Sequence, residues 1–284
     1  MSILNKLVDN VYVLNLERDL PKYDIVKAKL DKKNIQHERF IGVDGYDGPI
    51  GTEEKVKNLK DMLDEYEGEA SLYEPLAKRA GKVLYNVNTG AMRTHGAMGC
   101  LHSHRKIIQD AIDKKYKKIL LLQDDIYFHN QFEEILNDLE PTIKSSAMVH
   151  LGATEYDDYV RNIKWRNPSW SRKRIRYSTT EETCGLWGAI VDQKMFEPFM
   201  RLSKFEFFPA DGCFALLCFN LFFHSSWVAY PNLIIADLAF SKTSSTEEQG
   251  FKMENRSMSE ACARKFGWDL DYYDSSEGHH EQHE

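Results

Sequence analysis

Two adjacent carboxylates, Asp124 and Asp125, stand at the end of the apolar run Ile119–Leu122. A continuous apolar run of this length is typical of a strand that is covered on both faces of a parallel sheet. Open α/β sheets bind their ligands at the carboxyl ends of such strands. Two acids at that edge repel each other unless a positive group, most simply a divalent cation, binds between them. The alternative is a strand end that water solvates, without a ligand.

The elements around these acids follow an α/β pattern. Apolar residues recur at three- and four-residue spacing before the acidic strand, which predicts a helix there; they are Leu101, Ile107, Ile108, Ala111 and Ile112. Near the amino terminus, the pattern predicts a strand at 11–14, a helix at about 22–33 and a strand at about 38–43 that closes on Asp44. Such βαβ units build parallel sheets. We therefore predict an α/β fold with a Rossmann-type, mostly parallel sheet flanked by helices.

Two polar segments interrupt this pattern. Residues from about 46 to 93 are rich in Lys and Glu, and we interpret them as an insertion or flap over the sheet. The single domain is expected to span residues 1–270. The acidic and His-rich tail at 271–284 is expected to be disordered, because it has few apolar residues to bury.

Composition limits the class of protein. The chain has 284 residues, of which 42% are hydrophobic and 29% charged, as is usual for a soluble globular protein. Its net charge of −7 argues against nucleic-acid binding, which needs a basic surface. The five cysteines form no CxxC pair, which is typical of a reducing compartment. Since no signal peptide or long apolar run is present, we expect a cytoplasmic protein without a transmembrane segment.

Six groups of segments, in order along most of the chain, resemble glycosyltransferase family 25, the lipopolysaccharide and collagen-type sugar transferases. The matching segments are VYVLNLERD, RFIGVDG, GAMGCLHSHRKIIQDAI, ILLLQDD, TCGLWGAIVDQKMFEPFM, and FPADGCF with YPNLI. No single segment is specific for the family. Their shared order is what identifies the chain as a member.

The resemblance implies a GT-A-like fold and a glycosyltransferase reaction. The donor is a UDP-sugar, the acceptor is a hydroxyl group of a glycan or glycoprotein, and the anomeric carbon is inverted. Mn²⁺, or Mg²⁺, commonly assists by neutralising the charge that develops on the departing diphosphate. On this basis we expect Asp125 to coordinate the metal, with Asp124 as a second ligand or a contact to the ribose.

The other candidates for donor binding lie close to these acids. Asn15, Arg18 and Asp44 follow strand ends on the same edge, where uracil, ribose and phosphate would lie. For Arg18, a surface salt bridge is the alternative. Ser103 and His104 are expected to line the donor pocket near the start of their helix, where backbone N–H groups favour phosphate. A hydrolase is rejected because no Gly-x-Ser-x-Gly pattern surrounds this serine.

Inversion by direct displacement needs a general base for the acceptor hydroxyl. Asp211, in the Pro-Ala-Asp-Gly turn, is the first candidate because it matches the late acidic segment of the family, although an aspartate in a turn often only caps it. Glu181 and Glu182 are the competitors. The basic and aromatic stretch 159–177 has two interpretations: it binds an acidic or sugar acceptor, or it is a solvated loop anchored by buried tryptophans.

The chain departs from the family pattern at two places. Gln123 replaces the Glu before the Asp pair, and Ala97 with Met98 replaces the Glu before Gly-Cys. We keep Gln123 among the donor-binding residues because its amide forms hydrogen bonds, but it binds a cation less strongly than Glu. Two alternative functions therefore stay open. One is a catalytically weak relative that binds a nucleotide-sugar or glycan; the other is a metal-dependent enzyme of nucleotide diphosphates, such as a pyrophosphatase or nucleotidyltransferase.

Overall fold

The computed structural model describes residues 2–45, 57, 61, 94–155, 176–179, 183–237, 266 and 268–274. Most of the predicted insertion at 46–93, most of the basic stretch at 159–177 and the last ten residues of the tail lie outside the described residues. Within the described ranges, every helix is too short or too polar to cross a membrane.

Helices and strands alternate along most of the described chain. The helices are α1 Leu4–Leu7, α2 Leu20–Lys32, α3 His95–Asp113, α4 Phe132–Ser145, α5 Phe196–Ser203 and α6 Ala210–Asn220. The strands are β1 Asn10–Asn15, β2 Glu38–Ile41, β3 Lys118–Gln123, β4 Ile126–Phe128, β5 Met148–His150, β6 Thr154–Glu155, β7 Arg176–Ser178, β8 Thr183–Cys184, β9 Gly188–Asp192, β10 Ser226–Ala229 and β11 Ile234–Ala236. Short 3₁₀ helices lie at Glu17–Asp19, Gln193–Met195, Phe223–Ser225 and Leu270–Tyr272.

Seven strands form the central sheet, in the order β2-β1-β3-β9-β5-β10-β7. β1 pairs in parallel with β2 and β3, and β5 pairs in parallel with β10. β9 runs antiparallel to β3 and β5, and the edge strand β7 runs antiparallel to β10. Strands β1, β2, β3, β5 and β10 therefore point the same way. This confirms the mostly parallel α/β sheet, although the sequence did not indicate the two reversed strands.

Strand β3, which directly precedes the two acids, is covered on both faces of the sheet, as its continuous apolar run predicted. Ile119 and Leu121 face a core that includes residues of α3, α5 and α6. Leu120 and Leu122 face a second core that includes residues of α1, α2 and α4. All four side chains are at most 1% exposed. Burial on both faces stabilises β3 in the middle of the sheet and fixes the point at which the chain leaves it, directly before the two acids.

A two-stranded sheet holds the chain directly after the acids, because β4 pairs antiparallel with β11. The segment 270–274 also packs on β4. Tyr273 is 7% exposed, and the Asp274 carboxylate accepts a hydrogen bond from the Phe128 N–H at 2.8 Å. The boundary expected at residue 270 is therefore too early, since residues 271–274 belong to the packed structure. The rest of the expected tail, 275–284, lies outside the described residues.

Candidate active site

The carboxyl ends of β1 and β3 lie side by side and bring the first polar residues of the site together. Parallel pairing aligns Leu14 with Gln123, so Asn15 lies opposite Asp124. The Asn15 Nδ2 donates a hydrogen bond to Asp124 Oδ2 at 2.6 Å. Asn15, Gln123 and Asp124 therefore meet at the edge of the sheet where the sequence predicted a ligand site.

The Asn15 side chain uses its full hydrogen-bonding capacity within the protein. Its Nδ2 donates to Asp124 and also to the Asp19 carbonyl at 2.8 Å. Its Oδ1 accepts from Arg39 twice, from Nε at 2.8 Å and Nη2 at 2.6 Å. A primary amide has two N–H donors and two acceptor lone pairs, and Asn15 is 1% exposed. The hydrogen bonds of Asn15 thus hold the Asp124 carboxylate in place. A direct contact from Asn15 to the donor stays a prediction. The contact with Arg39 was not predicted from the sequence.

Asp125 is a buried carboxylate whose electrostatic neighbours include two other carboxylates and one lysine. It is 8% exposed, and its Oδ1 has no hydrogen-bond partner in the described part of the chain. Burial raises the pKa of Asp125 well above its usual value; the charges of Asp124 and Asp237 raise it further, and Lys22 lowers it. Burial also raises the pKa of Asp124, opposed by the hydrogen bond from Asn15. A bound cation would act in the opposite direction and favour both ionised forms.

A third aspartate, Asp237, forms a backbone hydrogen bond with the acidic turn and was not predicted from the sequence. Its backbone N–H donates to the Asp125 carbonyl at 2.7 Å, and its Oδ2 accepts from the Tyr127 hydroxyl at 2.5 Å. The side chain is completely buried. One signal was available, because Asp237 follows the apolar run Ile234–Ala236 just as the acidic pair follows β3.

The described residues contain no group of three or more His, Cys, Asp or Glu side chains placed to hold a metal ion. The unpartnered Oδ1 of Asp125 nevertheless fits a site with few protein ligands. Mg²⁺ is usually held by one or two carboxylates, with substrate phosphates and water in the remaining positions. Gln123 lies at the same strand end, half-buried, and its backbone N–H donates to the Trp187 carbonyl at 3.3 Å.

Arg18 and Asp44 form an ion pair beside Asn15, with side chains 45% and 48% exposed. Asp44 lies in the loop after β2, which ends at Ile41, two residues earlier than predicted. The surface salt bridge considered as the alternative for Arg18 is thus present in the structure. A contact from either residue to a donor stays a prediction.

Ser103 and His104 lie in the middle of α3, so the expectation that they are near its start is wrong. α3 begins at His95, eight residues before Ser103. Both side chains are 1% exposed. The His104 Nδ1 lies 2.8 Å from the Cys100 carbonyl, and burial lowers the pKa of His104, which favours the neutral imidazole. The helix extends beyond the apolar stripe at its amino end, and that stripe gave no signal for where the helix starts.

Ser103 instead fixes the loop that carries Asp44. Its hydroxyl accepts a hydrogen bond from the Val43 N–H at 2.8 Å and donates one to the Gly99 carbonyl at 2.7 Å. A Cβ atom on Gly99 would lie 2.7 Å from the Gly45 nitrogen and from the Val43 oxygen, which is closer than real Cβ atoms approach. The glycine lets the loop pack directly on α3, and the serine fastens it there.

Asp211 lies in the first turn of α6, where two backbone N–H groups bind its carboxylate. Gly212 donates at 2.9 Å and Gly185 at 3.3 Å. Gly185 has a φ of +99°, and a Cβ there would also collide with the Trp187 ring, so this position requires glycine. Burial raises the pKa of Asp211, and the two N–H donors oppose that increase.

Cys100 lies in the Gly-Cys-x-x-Ser segment of α3. Burial raises the pKa of Cys100 to about 12, with smaller contributions from the charges of Asp211 and Asp125. The thiol is therefore protonated and poorly nucleophilic. Glu181 and Glu182, the competing candidates for the base, lie outside the described residues.

A mostly parallel α/β sheet with an acidic turn at its carboxyl edge and helices on both faces defines the chain as a GT-A-like glycosyltransferase domain. Sequence comparison then identifies the family. Residues 8–213, which include the acidic turn and Asp211, match Glycosyltransferase family 25 (LPS biosynthesis protein). The chain belongs to this family, which confirms the resemblance seen in its motifs.

Relatives of the chain include larger proteins from animals. A Glycosyltransferase 25 family member of Drosophila melanogaster is 28% identical over 127 residues, which are 45% of this chain and 18% of that protein. Procollagen galactosyltransferase 2 of Homo sapiens is 26% identical over 141 residues, 49% of this chain and 19% of that protein. The mouse protein of the same name is 24% identical over 149 residues, 51% of this chain and 20% of that protein. The chain thus matches about one fifth of the length of each relative.

Proposed function

We propose that this chain transfers a sugar from a UDP-sugar donor to a hydroxyl group of a glycan or glycoprotein acceptor, with inversion at the anomeric carbon. Family membership supports a glycosyltransferase. The observation that carries the proposal is the buried Asp125 carboxylate at the end of β3, one oxygen of which has no hydrogen-bond partner among the described residues. A buried anionic oxygen without a partner is costly. A metal-bound diphosphate would compensate its charge.

Asp125, with Asp124 beside it, would hold Mn²⁺ or Mg²⁺ in this proposal. When bound, the metal supplies Lewis-acid stabilisation of the negative charge on the departing diphosphate. The hydrogen bond from Asn15 keeps the Asp124 carboxylate oriented before the donor arrives. The Gln123 amide lies next to this site and would form a hydrogen bond with the donor, where the family glutamate would add a negative charge.

Asp211 acts as the general base. Its carboxylate takes the proton from the acceptor hydroxyl while the hydroxyl oxygen forms a bond to the anomeric carbon. The bond from that carbon to the diphosphate oxygen breaks, and its electron pair stays on the diphosphate. Burial, which raises the pKa of Asp211, makes its carboxylate a stronger base than an exposed aspartate. Glu181 and Glu182 are the next candidates for this role.

Arg18 and Asp44 are proposed to contact the diphosphate and ribose of the donor. Because they form an ion pair with each other, Arg18 would exchange Asp44 for a phosphate when the donor binds. Such an exchange costs little, since exposed ion pairs contribute at most about 1 kcal/mol.

A screen of UDP-sugars with and without Mn²⁺ tests the proposal. UDP-galactose is the first donor to try and a glycoprotein hydroxyl the first acceptor, because two relatives are named procollagen galactosyltransferases. UDP release, glycoside formation and thermal stabilisation are measured together. We expect one donor to yield UDP and a glycoside in equal amounts, faster with Mn²⁺. Binding without turnover would instead favour a catalytically weak relative, and phosphate release without a glycoside would favour pyrophosphatase or nucleotidyltransferase chemistry.

A further inference from the structure

We propose that Arg39 is a positioning residue of the donor site: its guanidinium fixes the orientation of the Asn15 amide, which in turn orients the Asp124 carboxylate. The inference that this orientation serves donor binding rests on the function proposed above. Arg39 lies on the edge strand β2, paired with Val13 of β1. Within the described part of the chain, its guanidinium donates to the Asn15 side chain and the Leu16 carbonyl, and not to either acid of the turn. Its effect on the site therefore passes through Asn15.

The chemistry of the Asn15 amide makes this arrangement directional. An amide group has an oxygen on one side and an NH₂ on the other, and a rotation of 180° exchanges them. Arg39 presents only N–H donors, and both its Nε and Nη2 point at one atom of Asn15. That atom must be the acceptor oxygen. The NH₂ group is consequently directed towards Asp124 Oδ2, at 2.6 Å.

Arg39 is itself held by groups outside the acidic turn. Its guanidinium lies over the Tyr23 ring of α2, 5.2 Å from the ring centre. Its Nη2 also donates to the Leu16 carbonyl at 3.3 Å. The Tyr23 ring and the Leu16 carbonyl thus orient the planar guanidinium independently of Asn15. Lysine has no planar group to stack on the ring and cannot present two fixed parallel donors.

Without Arg39, the Asn15 amide oxygen would lose both of its partners. Only the hydrogen bonds from Nδ2 to Asp124 and to the Asp19 carbonyl would then hold the amide. Because the buried oxygen would be left without a donor, the amide and the Asp124 carboxylate would be less firmly placed for a metal-bound diphosphate. Loss of these hydrogen bonds should weaken donor binding by roughly tenfold.

Kinetics of Arg39→Met and Arg39→Lys test the role in donor binding. Methionine keeps the apolar length that packs on Tyr23 but has no N–H donors. We expect Arg39→Met to raise the KM for the donor and the Kd for UDP with Mn²⁺ about tenfold, while kcat changes less. Arg39→Lys should restore only part of the loss. Lys204→Met is the matched control, because Lys204 also places a cation over a ring, that of Phe205 at 4.9 Å, but follows α5 and has no proposed role in the site.

A double-mutant cycle with Asn15→Ala tests the order of the contacts. If Arg39 acts through Asn15, then adding Arg39→Met to Asn15→Ala should cause little further loss of donor affinity. Additive losses would overturn the proposal, and so would an Arg39→Met variant whose donor KM equals that of Lys204→Met.

The side-chain amide signals of Asn15 in a ¹H–¹⁵N NMR spectrum give a measurement that needs no donor. They are assigned by their loss in Asn15→Ala. We expect Arg39→Met to shift both signals, whereas Lys204→Met leaves them in place. Unchanged signals in Arg39→Met would overturn the positioning of the amide. If the signals shift but the wild-type chain neither binds UDP nor transfers sugar, the positioning stands and the proposed function is what fails.

Discussion

Asp125 is buried close to two other carboxylates, and this has opposite consequences for stability and for ligand binding. Its pKa is raised in the folded state, chiefly by burial. The folded chain therefore binds this proton more tightly than the unfolded chain, in which the pKa is near 3.8. Folding stability falls as pH rises from about 4 through the folded pKa, because the proton must then be released from the buried group. The same unpaired charge is what makes the position suitable for a cation.

Asp125→Asn should separate these two effects. We expect transfer to fall by at least about a hundredfold, because the group proposed to bind the metal is lost. The free energy of unfolding at pH 7 in EDTA should be unchanged or higher, since a costly buried charge is removed. Chemical denaturation and initial rates measure the two quantities. Unchanged turnover would remove Asp125 from the site.

Asp211→Asn tests the general base while keeping the shape of the side chain. Gly212 binds Oδ1 and Gly185 binds Oδ2, and the one oxygen of asparagine can keep only one of these two bonds. The free energy of unfolding is therefore measured beside the rates. We expect kcat to fall by roughly a hundredfold or more, with the KM for the donor changed much less. Asp269→Asn is the control, because Asp269 also binds a backbone N–H, that of Asp271, in a short helix. If kcat is retained, Glu181 and Glu182 become the candidates.

At the scale of elements, the contact between α3 and the loop after β2 controls where Asp44 lies. Gly99 permits the close approach, and the Ser103 hydroxyl links the Val43 N–H to the helix. The Gly-Cys-x-x-Ser segment therefore packs α3 against the loop after β2. Through this contact it positions the loop that carries Asp44.

Ser103→Ala should destabilise the fold by about 1–2 kcal/mol, because the Val43 N–H loses its partner. We also expect a higher KM for the donor, since the loop with Asp44 is no longer fixed. Ser145→Ala on α4 is the matched control: its hydroxyl also donates to the carbonyl four residues back, that of Pro141 at 3.0 Å, but it is exposed. Equal unfolding free energies for the two variants would contradict this role.

At the scale of the whole molecule, acid stability depends on histidines that the fold keeps neutral. His150, at the carboxyl end of β5, is 2% exposed, and burial lowers its pKa to about 4. An unfolded histidine binds its proton near pH 6.5. Between these values, the unfolded chain holds a proton that the folded chain does not. Folding stability should therefore fall as pH drops from 6.5 to 4.

His150→Leu removes this dependence. We expect the stability difference between the variant and the wild-type chain to change by up to about 3 kcal/mol between pH 7 and pH 4, in favour of the variant at low pH. Buried carboxylates with raised pKa values change stability with pH in the opposite direction. The quantity to measure is therefore the difference in free energy of unfolding between the variant and the wild-type chain, obtained by chemical denaturation at each pH. His102→Gln is the control, because His102 is 36% exposed beside Glu206. Parallel curves for wild type and His150→Leu would contradict the effect of burial.

The sequence by itself determined the elements that local patterns encode. The apolar run of β3 indicated a strand buried on both faces, the stripe on α3 indicated a helix, and the strand–helix–strand unit at the start indicated a parallel sheet. The order of weak motifs identified the family. These predictions succeeded because burial on one or two faces leaves a periodic trace in neighbouring residues.

Only the tertiary structure decided which side chains meet. The reversed direction of β9, the contact of Asp237 with the acidic turn and the chain of hydrogen bonds from Arg39 through Asn15 to Asp124 join residues that are far apart in sequence. No local pattern encodes such contacts, because hydrogen bonds and buried charges depend on the position of the partner group. For the same physical reason, the sequence could not show that Ser103 links the loop after β2 to α3. A contact from Ser103 to a donor stays a prediction.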